Sequence, residues 1–91
     1  MDRKSFQAWL DAQPQEATVG YVGLPDSCPL RTYLGRGHVG ILTWYPNATN
    51  GLAFVLLPRW AVLFIQEVDK MAPKTQVQAW QALEFLARVE E

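Results

Sequence analysis

The sequence is poor in the residue types on which most small-protein chemistry depends. Cys28 is the only cysteine, which excludes an intramolecular disulfide and any multi-cysteine zinc site. His38 is the only histidine, so the usual nitrogen and sulfur metal sites lack ligands, and neither a metal nor another cofactor is expected. Charge of one sign is also lacking. The formal net charge is −1, too little to drive nonspecific binding to nucleic acid or to a membrane surface. Between Asp26 and Glu67 there is no carboxylate at all, although Arg31, Arg36, His38 and Arg59 lie inside. A weakly basic middle suits an anionic partner. A core-forming segment with few charges of any kind gives the same pattern, and so few arginines do not make a patch.

A long uninterrupted apolar run is missing as well. The most apolar stretch is Leu52–Val68, LAFVLLPRWAVLFIQEV. A membrane span needs roughly 20 apolar residues with few charges, and this run contains Pro58, Arg59 and Glu67. The first residues, MDRKSFQAWLDAQ, carry charge without the apolar core of a signal peptide. A cytoplasmic protein with no membrane partner is the expectation.

What is present is apolar material for one core. Ninety-one residues that are 49% hydrophobic make a single domain, residues 1–91, able to bury a core without disulfides or metal. Asp2 or Ser5 can cap a first helix that places Phe6, Trp9 and Leu10 on one face and stops at Pro14. Glu16–Gly23 reads as a short edge strand whose two glycines suggest a bulge or a close backbone approach. Asp26-Ser27-Cys28-Pro29 is a helix-start signal, with Asp26 or Ser27 capping and Gly35 ending a brief helix in the left-handed region. Val39–Tyr45 and Leu52–Leu57 are expected to form an antiparallel hairpin through Asn50-Gly51. Neither strand alternates apolar with polar as a half-solvated sheet does, so both faces need cover.

Pro58 opens a third helix, to about Met71, with Trp60, Ala61, Phe64, Ile65, Val68 and Met71 on one arc. Val62 and Leu63 fall on its polar side. Thr75 and Gln78 have capping-box spacing for a last helix on which Trp80 is expected to face inward. The expected fold is α+β, with a small, mostly antiparallel sheet of about three strands and four short helices in the order α-β-α-β-β-α-α.

Three kinds of function fit these residues. Cys28 at a helix N-terminus, where dipole and free amides favour thiolate, and His38 after a reversal suggest a thiol nucleophile with its base. No third orienting residue is evident, and a lone cysteine is commonly a small buried hydrophobe. Arg31, Arg36 and His38, near tyrosines, suggest nucleic-acid or nucleotide contact, but no phosphate-binding glycine fingerprint or P-loop lysine accompanies them. Trp44 and Tyr45, expected near the hairpin tip, suit a protein partner, because such residues anchor binding hot spots. Val62 and Leu63 are either covered by the last helix or sites of association, and a homodimer would cover such surplus apolar surface.

The segments VGYVG, CPLRTYL and LPRWAVLFIQEVD, in that order, resemble those of short uncharacterised prokaryotic and phage-related proteins. In these a Cys-Pro-Leu run opens a short helix and a Leu-Pro-x-Trp segment opens a later one; Arg31 departs from the small residue that follows the first run. The resemblance implies shared architecture and fits a mobile-element accessory protein. A non-enzymatic regulator or inhibitor that binds another macromolecule, such as a host defence complex, is the function expected.

Overall fold

Four helices and two antiparallel sheets build an α+β fold, seen in a computed structural model that describes residues 1–24, 26–47 and 53–89. The order is α1 (Arg3–Ala12), β1 (Thr18–Tyr21), α2 (Pro29–Leu34), β2 (His38–Val39), β3 (Thr43–Tyr45), β4 (Val55–Leu56), α3 (Arg59–Val68), β5 (Gln76–Gln78) and α4 (Ala79–Ala87).

The helices supply most of the core. Asp2 starts α1 by accepting from the Ser5 amide at 3.1 Å and the Ser5 hydroxyl at 2.9 Å, which satisfies a first-turn donor that the helix cannot. Phe6 and Leu10, one turn apart, are fully buried. Phe6 is the centre of an aromatic cluster, with Phe64 at 5.1 Å, Tyr33 at 5.2 Å, Trp60 at 5.7 Å and Trp9 at 6.1 Å. Such offset and edge-on pairs add about 0.5–1.5 kcal/mol each beyond area burial. Helix α3 buries Trp60, Ala61, Phe64 and Val68 and ends at Val68, before Met71, where the chain turns through a bond from the Met71 amide to the Val68 carbonyl. Arg3 ties the two ends of the chain together. Its guanidinium donates to Val89 O at 2.9 Å and to Leu86 O at 2.8 Å, a carbonyl that also accepts from the Val89 amide, and its charge lies at the negative end of α4.

Strands β1 and β5 form one sheet, with Thr18 opposite Gln78, Gly20 opposite Val77 and Tyr21 opposite Gln76. The register slips between Thr18 and Gly20, the bulge that a glycine-bearing strand suggests. Gly20 is held by a close approach too: a Cβ there would lie 2.5 Å from Pro29 N and 2.6 Å from Ser27 O. Strand β5 lies where a helix start was expected. Gln76–Gln78 pairs with β1, and the capping interaction moves to Gln78, whose amide donates to Gln81 Oε1 at 2.9 Å. Helix α2 likewise begins one step later than the Asp26 or Ser27 cap would place it. Its N-cap is Cys28, which makes no side-chain capping bond, and Pro29 occupies the first turn without needing a donor partner. Gly35 ends it with φ of +81°, as expected.

The second sheet has the order β2-β3-β4. Val39–Tyr45 is not one strand. The chain reverses inside it: His38 pairs with Tyr45, Val39 with Trp44, and the Gly40 amide reaches Thr43 O at 2.8 Å, leaving Ile41 and Leu42 at the turn. Strand β3 then pairs with β4, Thr43 opposite Leu56 and Trp44 opposite Val55. Of the expected strand Leu52–Leu57, only Val55–Leu56 is ladder-paired; Leu52 and the Asn50-Gly51 turn lie outside the described residues.

Candidate functional site

The Arg31–His38 segment and the Trp44–Tyr45 pair, joined by the turn at Ile41–Leu42, meet at one end of the three-stranded sheet. Gly37 makes the meeting possible. Its φ is +73°, and a Cβ there would lie 2.0 Å from the Tyr45 carbonyl oxygen, so only glycine lets the chain pass. Arg31 Nε donates to Gly37 O at 3.1 Å and fixes the loop from the side of α2. The Trp44 indole N–H donates to Arg36 O at 3.1 Å, and the Arg36 guanidinium lies 5.8 Å from the centre of the same ring. His38 stacks on Tyr45 at 4.8 Å, and Tyr45 stands 6.2 Å from Phe54. Trp44 and Tyr45 are therefore in the middle strand, not at a hairpin tip.

Residues opposite one another in an antiparallel ladder share a face of the sheet. Val39, Trp44 and Val55 form one face; Val39 is buried and Trp44 packs on the core. His38, Tyr45 and Phe54 form a ladder on the other face, with Thr43 and Leu56 beside it. That second face meets solvent. Phe54 is 57% exposed and Leu56 70%, while Ile41 and Leu42 at the turn are 69% and 59% exposed and Val55 is 45% exposed. The segment Val39–Pro58 contains no charged residue. The outer face thus has an aromatic end, His38–Tyr45–Phe54, and an aliphatic end, Leu56 beside the exposed turn residues Ile41 and Leu42, while Val55 on the other face is partly exposed at the sheet edge. Of the cover that both faces need, the core provides one side.

Cys28 and His38 are placed on different elements: Cys28 caps α2, whereas His38 is in β2 and belongs to the aromatic ladder. Burial pushes the Cys28 thiol up; the amides of Arg31 and Leu30 pull it down by less, and the Asp69 carboxylate adds to the rise. A helix start was expected to do the reverse, but desolvation of a thiolate outweighs the dipole of so short a helix. Cys28 lines a cavity of about 20 Å³ with Leu30, Phe64 and Val68, room for no more than about one water. A wider hollow beside it, between Cys28, Ile41 and Ile65, has Asp69 as its carboxylate. Among the described residues no group of acidic, cysteine or histidine side chains is arranged to hold a metal.

Val62 and Leu63 lie apart from this surface. Both are half-buried and packed against the core, and Leu63 lines a groove with Arg59, Gln66, Arg88 and Val89 where α4 crosses α3. Trp80, expected to face inward, is 41% exposed, because its indole N–H turns back to Gln78 Oε1 at 2.6 Å. Phe54, Ile41, Leu42 and Leu56 were not singled out from the sequence as surface residues. Their signal was visible in the missing apolar–polar alternation, but it did not say which face would stay uncovered.

In comparisons with protein-family models, curated proteins and solved structures, nothing matches the chain. Among the described residues no helix is long and apolar enough to cross a membrane.

Proposed function

We propose that this is a small non-enzymatic protein that binds another protein, as a regulator or inhibitor, through the aromatic end of its three-stranded sheet. The observation that carries this is the ladder of His38, Tyr45 and Phe54 on the sheet face turned away from the core, with Arg36, over the Trp44 ring, exposed at the same end of the sheet. Tyrosine, tryptophan and arginine are the residues that dominate binding energy at interfaces. Here they are held in place by Gly37 and by the bonds of Arg31 and Trp44, so little ordering remains to be done on binding. The resemblance to phage-related proteins makes a host defence complex the first partner to test, in the cytoplasm of a prokaryotic host. Affinity capture from a host lysate should retain a partner on the wild-type protein and on Gln7→Ala, which changes an exposed position of α1. Tyr45→Ala and Arg36→Ala should lose it. Equal capture by all four proteins would remove the sheet as the binding surface.

A second reading is favoured by the same ladder. Aromatic rings displayed on a sheet beside arginine can stack the bases of a single strand. A salt-dependent mobility shift that weakens in the Arg31→Ala/Arg36→Ala double variant would favour it; no shift at low salt would end it.

A further inference from the structure

We propose that the aliphatic end of the three-stranded sheet is a two-fold seam that takes a second copy of this chain. The inference rests on reading the outer face of that sheet as a contact surface; it shares Phe54 with the aromatic ladder and otherwise uses the other end of the sheet. Strand β4 is at the edge of its sheet, paired with β3 on one side only among the described residues. Edge strands that stay single are short or carry lysine, inward charge or proline. Strand β4 is short, but Phe54, Val55 and Leu56 include no charge or proline, and no charged residue occurs from Val39 to Pro58.

That neutrality selects the partner. A surface without charge offers nothing for an acidic or basic partner to recognise, and it meets its own copy without repulsion. A two-fold contact asks for such self-complementarity, since each patch must accept itself. With Val55 near the axis, antiparallel approach of two β4 strands would set Phe54 of one copy against Leu56 of the other on the outer face. An aromatic and an aliphatic side chain opposed across strands form a favourable pair. The turn residues Ile41 and Leu42 would flank it, next to the hollow lined by Val39, Gly40 and Ile65, whose one carboxylate is Asp69.

The area is of the right size. Ile41, Leu42, Phe54, Val55 and Leu56 leave on the order of 500 Å² of apolar surface in solvent, near the top of what a monomer ordinarily shows. A standard interface takes roughly 800 Å² from each partner, so these side chains alone supply more than half of it.

Sedimentation equilibrium across micromolar concentrations tests this on the full chain. The wild-type protein is expected at twice the chain mass, and Leu56→Lys and Ile41→Asp at the chain mass, each with an unchanged circular dichroism spectrum because both side chains are exposed. Tyr45→Ala should remain a dimer. A monomeric wild-type protein overturns the seam. So does a dimer that both charged variants leave intact, which would place the contact elsewhere. A monomer that still captures a partner through Tyr45 and Arg36 removes the seam alone and leaves the binding function standing; a dimer that captures nothing does the converse.

Discussion

Gly35 and Gly37 give a controlled comparison of what holds the candidate surface together. Both have positive φ, +81° and +73°. A side chain added at Gly35 would meet nothing within 4 Å, so Gly35→Ala isolates the cost of the left-handed backbone, about 1–2 kcal/mol. Gly37→Ala carries that cost and a collision. Its Cβ would stand 2.0 Å from Tyr45 O and 2.9 Å from Pro46 Cα, both backbone atoms in or next to the middle strand. No rotamer relieves it; the loop must lift away from β3. Overpacking of this kind adds typically 1–3 kcal/mol, for a total of about 2–5 kcal/mol. At about 4–8 °C per kcal/mol for a chain of this size, Gly35→Ala should lower Tm by about 4–16 °C and Gly37→Ala by clearly more.

The two variants should also differ in kind. If Gly37→Ala lifts the loop, the Trp44 indole loses its bond to Arg36 O and the Arg31 side chain loses Gly37 O. The Trp44 indole N–H resonance should then shift in a proton–nitrogen spectrum, and partner capture should fall even where the protein stays folded. Gly35→Ala should leave that resonance in place. Equal Tm losses and an unmoved indole signal in both variants would refute the contact between Gly37 and β3 on which the site depends.

Cys28 should react with iodoacetamide at neutral pH more slowly than free cysteine, since burial holds its thiol above the ordinary range; a rate equal to or above that of free cysteine would restore the nucleophile. Because the folded thiol ionises later than the unfolded one, its contribution to stability is complete below the ordinary thiol pKa and is lost as pH rises through the folded value. Denaturant melts from pH 7 upward should show this decline in the wild type and less of it in Cys28→Ala. Arg3→Ala removes both guanidinium bonds to the end of α4 and should cost about 1–3 kcal/mol, read by thermal melting, with Arg3→Lys recovering part; no change would mean that water replaces the guanidinium without loss. Hydrogen exchange should show amides of β2, β3 and β4 opening at lower free energy than those of α3, which is anchored by Trp60 and Phe64. Equal protection in both would contradict the exposure of that sheet.

The helical part of the fold was legible because its signals are local and strong. Asp2 and Pro14 bracket α1, Pro58 opens α3, Gly35 closes α2, and the stripes Phe6–Leu10 and Trp60–Phe64 bury what their spacing says. The sheets were legible in kind but not in length. The reversal at Ile41–Leu42 uses neither Asn-Gly nor another usual turn pair, so nothing local marks it. Gln76–Gln78 has one apolar residue and acquires strand character only by pairing with β1, fifty-eight residues away at the Thr18–Gln76 hydroxyl–amide contact. The site residues were legible one by one, but their convergence was not. That Arg36 and Trp44 share a hydrogen bond depends on Gly37 passing under Tyr45, a tertiary fact. Cys28 shows the converse: the helix-start signal was real, and burial among Leu30, Phe64 and Val68 reversed its electrostatic consequence.

The two sheets of this small fold are finished differently, and the difference bears on function. In the first, the segment before α2 lies on β1 close enough to require Gly20, and the Val22 amide pairs with Thr75 O. Its exposed residues are Thr18, Gln76 and, opposite Gln76, Tyr21, with Gln78 partly exposed and the Thr18 hydroxyl bonded to Gln76 Oε1 at 2.7 Å. That is how a short sheet is completed in water: a covered edge and polar side chains facing out. The second sheet is of similar size, but among the described residues nothing pairs with the outer edge of β4, and beside His38 and Thr43 its outer face is largely apolar. Its outer face presents Tyr45, Phe54 and Leu56, its turn presents Ile41 and Leu42, and its edge strand β4 is uncharged. One chain therefore contains both solutions, and the apolar one cannot be put down to a sequence lacking polar residues for its strands. Exposed apolar side chains gain nothing for the isolated fold, whereas covering them on contact contributes about 25 cal/mol for each Å² removed from water. That gain is what the two proposed contacts of the second sheet would draw on.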